Sequence, residues 1–101
     1  MWLFVFFDLP TNTKTERRNA MLFRKALEKD GFTMKQYSVY IRYCTSKEHM
    51  DVHIKRVRRA LPSSGYISIL MVTDKQYGNI INYWGKIEHS KPDMPQQLEL
   101  F

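Results

Sequence analysis

The residues predict an α+β domain, an antiparallel sheet with two helices packed on one of its faces. Three features of the chain point there. Trp2 to Phe7 is an unbroken apolar run, as a central strand covered on both faces requires. Two segments with helix-start signals follow, and β-rich sequence separates them. A second strongly apolar run, Tyr66 to Thr73, completes the pattern.

Leu9-Pro10 ends the first strand, because proline cannot donate to a β-ladder. Thr13-Lys14-Thr15-Glu16 fits a capping box, with Thr13 as N-cap and Glu16 reaching back. It predicts a helix from about residue 14 to Asp30, with Gly31 as its left-handed terminator. On a helical projection Ala20, Leu22, Phe23, Ala26 and Leu27 share one side. Lys14, Arg17, Arg18, Arg24, Lys25 and Lys29 share the other, with Glu28 the only acid among them.

Phe32 to Cys44 is rich in aromatic and β-branched residues, too long for one ordinary strand. It is either one long strand or two that break near Gln36-Tyr37, and no Asn-Gly or Gly-Gly marks a turn. Thr45-Ser46-Lys47-Glu48 offers a second capping box, and Pro62 stops the helix that follows. Met50, Ile54, Val57 and Leu61 give that helix its apolar stripe. Lys55, Arg56, Arg58 and Arg59 crowd its last turns, where cations suit the helix dipole.

Ser63-Ser64-Gly65 reads as a turn before the second apolar strand, and Asp74 to Gly78 as a turn or short helix. A strand is expected around Ile80 to Ile87, and His89 to Pro95 reads as a linker. Residues 1–88 therefore form the domain, and 89–101 a linker and tail. In that tail Leu98, Leu100 and Phe101 are too apolar for a free terminus and are expected to dock on a partner. The order β-α-β-β-α-β is that of a ferredoxin-like sandwich with C-terminal strand additions.

Sixteen Lys and Arg against 10 Asp and Glu leave a 101-residue chain with a net charge of +6. Such an imbalance favours polyanionic partners. Nucleic acid is the expected one, because the sequence shows no lipid-anchor motif and no membrane-length apolar segment. The opening apolar run has no basic leader and no small-residue cleavage site, so it reads as a strand rather than a signal sequence. Cys44 is the only cysteine, which rules out an internal disulfide and suits a cytoplasmic location. A domain this small would also gain from pairing with a second copy.

Asp8 is the one residue with catalytic promise. It closes an all-apolar strand directly before a basic helix, where a turn aspartate bonded only to backbone is the plain alternative. One carboxylate is too few for Mg²⁺, which takes an octahedral oxygen shell, but a two-fold dimer could bring two together. Lys14, Arg17 and Arg18 oppose the dipole of their helix, so stability does not explain them, whereas phosphate binding does. Arg24 and Lys25 extend the same basic face. His49 and His53 stand at a zinc-compatible spacing, yet no third ligand accompanies them and they are expected to be ordinary surface residues. The aromatics lack the motif of an RNA-recognition sheet, and no Gly-rich phosphate loop is present.

Taken together, Val5-Phe6-Phe7-Asp8-Leu9-Pro10, Arg17-Arg18, and Gly31-Phe32 leading into Gln36-Tyr37-Ser38-Val39-Tyr40 resemble the CRISPR-associated Cas-two family from about residue 2 to residue 87. The resemblance implies a ferredoxin-like fold with the strand split after Gln36. It further implies a homodimer with two Asp8 side chains facing across its axis. Family members are described as Mg²⁺-dependent endonucleases on RNA or DNA, and as the core of a complex with the CRISPR integrase Cas-one. Many members carry Tyr where this chain has Phe7, which removes a hydroxyl from the neighbourhood of the aspartate. A DNA-bridging scaffold without chemistry and a stand-alone toxin-like ribonuclease are the alternatives.

Overall fold

The computed structural model describes residues 1–89. The elements are β1 (Trp2–Asp8), α1 (Lys14–Lys29), β2 (Thr33–Gln36), β3 (Val39–Tyr43), α2 (Lys47–Arg59), β4 (Tyr66–Val72), α3 (Asp74–Gly78), β5 (Asn82–Trp84) and β6 (Ile87–His89). A four-stranded antiparallel sheet runs β2-β3-β1-β4, and β5 and β6 form a separate hairpin. The expected ferredoxin-like order is present, with strands added after it.

The unbroken apolar sequence of β1 follows from its place inside the sheet. Leu3, Val5 and Phe7 point toward the two long helices and pack with Phe23, Leu27, Met50, Val57 and Tyr40. Trp2 and Phe4 point the other way, against Ile41, Val72 and Tyr77. The Tyr77 ring on α3 stacks on Trp2 with centroids 3.9 Å apart, so the short helix covers one end of the second face. Each such fully buried side chain contributes about 1.5–3 kcal/mol.

Helix α1 starts as its sequence predicts. Thr13 Oγ1 accepts the Glu16 N–H at 3.1 Å, and Glu16 Oε1 accepts the Thr13 N–H at 3.0 Å. Asp30 caps the other end, and Gly31 follows at φ +89°. A side chain there would also press on the Arg42 guanidinium, at 3.2 Å from Nε.

The long β segment splits into β2 and β3. Ser38, at φ +63°, takes the left-handed position of the turn, and Phe7 N–H donates to its carbonyl at 3.1 Å. A serine in place of the usual glycine is why sequence left this turn open.

Three local expectations are corrected. The N-cap of α2 is Ser46 rather than Thr45; Ser46 accepts the His49 N–H at 3.1 Å, so Glu48 sits one position too early to close a box with it. The buried residues of α2 are Met50, His53 and Val57, while Leu61 lies past the helix end and is exposed. The strand expected over residues 80–87 is instead a hairpin that turns at Gly85, φ +60°, and its second strand reaches His89 in the expected linker. The tail residues Leu98, Leu100 and Phe101 lie outside the described residues. Among the described residues no helix is long and apolar enough to cross a membrane.

Candidate functional site

Asp8 is the last residue of β1 and stands exposed on the sheet face opposite α1 and α2. The alternation of the strand sets that direction, since Phe7 before it points into the helix-side core. The antiparallel register puts Asp8 opposite Tyr66 and Phe6 opposite Ser68. These four residues and Leu70, which pairs with Phe4, share one face. Phe6 is 37%, Leu70 50% and Tyr66 81% exposed. The carboxylate therefore sits at the rim of a bare apolar strip. Among the described residues it makes no hydrogen bond and no ion pair.

Gly65, which sequence assigned only to a turn, holds the backbone beneath Asp8. It takes φ +99°, and a Cβ there would lie 2.9 Å from the Asp8 carbonyl oxygen and 2.6 Å from Leu9 Cδ2. No side chain fits between these two chain segments.

The basic residues lie elsewhere. Lys14, Arg17, Arg18, Arg24 and Lys25 are all on α1, across the sheet from Asp8, with residues 9–13 linking the two. Lys14, Arg18 and Lys25 are exposed and, among the described residues, unpaired. Arg17 has a structural duty that sequence did not show. Its Nη1 donates to the carbonyls of Thr11 and Asn12 at 3.1 and 3.3 Å, which ties the loop after Asp8 to the helix. Arg24 is half-buried beside Tyr40. Asp8 and the cations thus frame two surfaces rather than one pocket.

Phe7 is also better explained. Its ring packs edge-on to Phe23, centroids 5.3 Å apart, and lies beside Tyr40 at 5.7 Å. The side chain faces away from Asp8, so a tyrosine there would carry its hydroxyl on the helix side of the sheet.

The histidine expectation is corrected too. His53 is only 3% exposed and its Nδ1 lies 2.7 Å from Asp30 Oδ2. Asp30 Oδ1 accepts from Arg56 Nη1 at 2.8 Å, and the Asp30 carbonyl accepts from Arg42 Nε at 2.8 Å. Partial burial alone would raise the Asp30 carboxyl, but hydrogen bonds from Arg56 and His53 and their charge outweigh it and hold it below the ordinary carboxylate value. His49 Nε2 lies 3.0 Å from His53 Nε2. Sequence held a clue, because His53 falls within the Met50–Val57 stripe at helical spacing. Among the described residues no group of three or more His, Cys, Asp or Glu is placed to hold a metal. Cys44 is fully buried, and desolvation pushes its thiol up, so it is no nucleophile.

The family model of CRISPR associated protein Cas2 matches residues 1–80, from β1 through α3. The chain belongs to the Cas2 family. Among its Cas2 relatives, the "CRISPR-associated endoribonuclease Cas2" of Flavobacterium psychrophilum is 52% identical over all of this chain and 88% of its own length. Proteins of the same name from Parvibaculum lavamentivorans and Paracidovorax avenae are 46% and 45% identical, again over all of this chain and over 100% and 94% of their own. The Cas2 family match ends before the β5–β6 hairpin, whereas these relatives run through it.

Proposed function

We propose that this chain acts in CRISPR adaptation as a homodimeric nucleic-acid-binding protein whose two Asp8 carboxylates form a Mg²⁺-dependent phosphodiesterase site. The observation that supports this best is the exposed, unpaired Asp8 at the rim of the apolar strip of Phe6, Tyr66 and Leu70. A bare strip of large side chains favours association, and a two-fold axis beside it would bring one Asp8 toward the other.

One protomer alone does not fit the ion, because among the described residues no group of three or more ligating side chains forms around Asp8. The pair would fit. Mg²⁺ held there supplies charge neutralisation and a more acidic water for attack on phosphorus. Lys14, Arg18 and Lys25, with Arg17, Arg24 and Lys29 around them, would bind backbone phosphate without choosing sequence. The relatives named endoribonucleases support a ribonuclease reading, and duplex DNA is the second substrate class.

A second reading keeps the dimer and drops the chemistry. It is favoured by the placement of the basic helix on the far side of the sheet from Asp8 and by the lack, among the described residues, of any hydrogen-bond partner to Asp8 that could serve as a general base. The dimer would then be a scaffold that bridges duplex DNA. Both readings include a cytoplasmic complex with the integrase Cas-one, following the family resemblance, with Leu98, Leu100 and Phe101 as a docking tail. Deletion after Pro95 should weaken integrase binding or dimerisation, and no change in either would remove the tail from the account.

The deciding experiment is cleavage and binding by wild-type and Asp8→Asn protein on labelled single-stranded RNA and duplex DNA, with Mg²⁺ and with EDTA. Cleavage lost with EDTA and with the mutation supports the nuclease. Salt-sensitive duplex binding with no cleavage by either protein supports the scaffold.

A further inference from the structure

Four hydrogen-bonding groups between the end of α1 and the start of α2 run in a single direction, and we propose that they form a proton-operated switch at the first turn of α2. Asp30 carboxylate can only accept, so His53 donates to it from Nδ1 across 2.7 Å. A neutral His53 then keeps a lone pair on Nε2, and His49 must donate to it from Nε2 across 3.0 Å. His49 Nδ1 is thereby left unprotonated, and it accepts the backbone N–H of Thr45 at 3.2 Å. Each ring has one tautomer that satisfies the chain and no spare acceptor.

An added proton has no place in that chain. A proton added at His53 Nε2 points at His49 Nε2, which must then accept, so the His49 proton moves to Nδ1. There it meets the Thr45 N–H head-on, and the Thr45 hydroxyl at 3.5 Å is too distant for a good bond. The break therefore falls at His49, which turns away from Thr45 and frees the N-terminal turn of α2. The hydrogen bond from His53 Nδ1 to Asp30 stays in place.

The surroundings set the sense of the switch. Around the pair stand Arg42 from β3, Arg56 from α2 and Asp30 from the end of α1. Desolvation, followed by the charge His53 carries when protonated and by the charges of Arg42 and Arg56, holds His49 below the ordinary imidazole value, with Asp30 pulling the other way. In the unfolded chain His49 titrates near the usual value of about 6.5. The unfolded state thus takes up more protons in that region, so the contribution of His49 is complete above about pH 6.5 and is lost as pH falls below it. The switch lies on the helix side of the sheet and does not depend on any role for Asp8.

Nitrogen-15 NMR of the histidine rings tests the switch in the wild-type chain. At pH 7.5 the expected result is a proton on Nδ1 of His53 and on Nε2 of His49. On acidification the Thr45 amide signal should move together with the His49 ring, with a midpoint below about 6.5. Thermal unfolding of His49→Ala gives the second arm. Its midpoint should lie below wild type at pH 7.5, with the gap closing by pH 5. A proton on Nε2 of His53, a Thr45 amide indifferent to pH, or a constant gap would overturn the switch. A rise in the wild-type unfolding midpoint on adding Zn²⁺, absent in His49→Ala, would also overturn it by making the pair a metal site.

Discussion

Asp8 and Tyr66 face each other across β1 and β4, the final register pair of the sheet, and both side chains are exposed on the face that the long helices leave bare. A carboxylate has been placed beside an aromatic ring and an apolar strip where, among the described residues, nothing neutralises it. That arrangement makes sense when a second surface arrives.

Replacing one strip residue with a charge should keep the fold and prevent pairing. Leu70 is half-exposed and lies two residues inward of Ser68 on the same face, so Leu70→Asp costs the protomer little. Sedimentation should give a single-chain species for the variant and a two-chain species for wild type. A dimeric Leu70→Asp protein would place the interface elsewhere.

Gly65 holds the strand end by lacking a side chain. Gly65→Ala must take a left-handed φ and push on the Asp8 carbonyl, at a cost of about 1–3 kcal/mol. Denaturant unfolding should show that loss, and any Asp8-dependent cleavage should fall with it. Unchanged stability would mean that the Leu9 backbone yields freely.

The cations of α1 should act through charge alone. Lys14→Ala and Arg18→Ala should each weaken RNA and duplex binding without altering sequence preference, and each should lower the salt-dependence slope by about 1. Arg17→Ala should in addition destabilise the fold by about 1 kcal/mol, since it also frees the Thr11 and Asn12 carbonyls. Fluorescence titrations at several salt concentrations separate these effects.

Asp30 joins the two long helices, so Asp30→Asn should cost about 1.5–3 kcal/mol at neutral pH through its bonds to His53 and Arg56. Its folded carboxyl sits below the ordinary carboxylate value of 3.8, so this stability is present above that value and is lost as pH falls through the lower folded one. The gap between wild type and variant in urea midpoints should therefore hold from neutral pH down to about 4 and close below it.

Much of the fold was legible because local signals agreed with tertiary demands. Thr13 and Glu16 announced α1, and the apolar run of β1 announced a strand covered on both faces. The turn at Ser38 was hidden because a non-glycine residue takes its left-handed position, held by a bond from the Phe7 amide. The second cap was misplaced by one residue because Thr45 and Ser46 are both competent, and only His49 beyond them decides. The hairpin after Ile80 turns on Gly85, a residue the strand expectation passed over.

The site was half legible. Asp8 could be singled out because a charge ended an apolar strand, and the charge of α1 could be read from its projection. That the two lie on opposite faces of the sheet could not be read, since that depends on which way β1 alternates once packed. His53 was mistaken for a surface residue because its partner Asp30 lies far away in sequence and meets it only through helix packing.

The central claim is that two chains share one ion through their Asp8 carboxylates. Calorimetric titration of purified wild-type and Asp8→Asn protein with Mg²⁺ tests it most directly. One ion bound per two chains in wild type, and none in the variant, is the expected result. One ion per chain, or equal binding by Asp8→Asn, would contradict it.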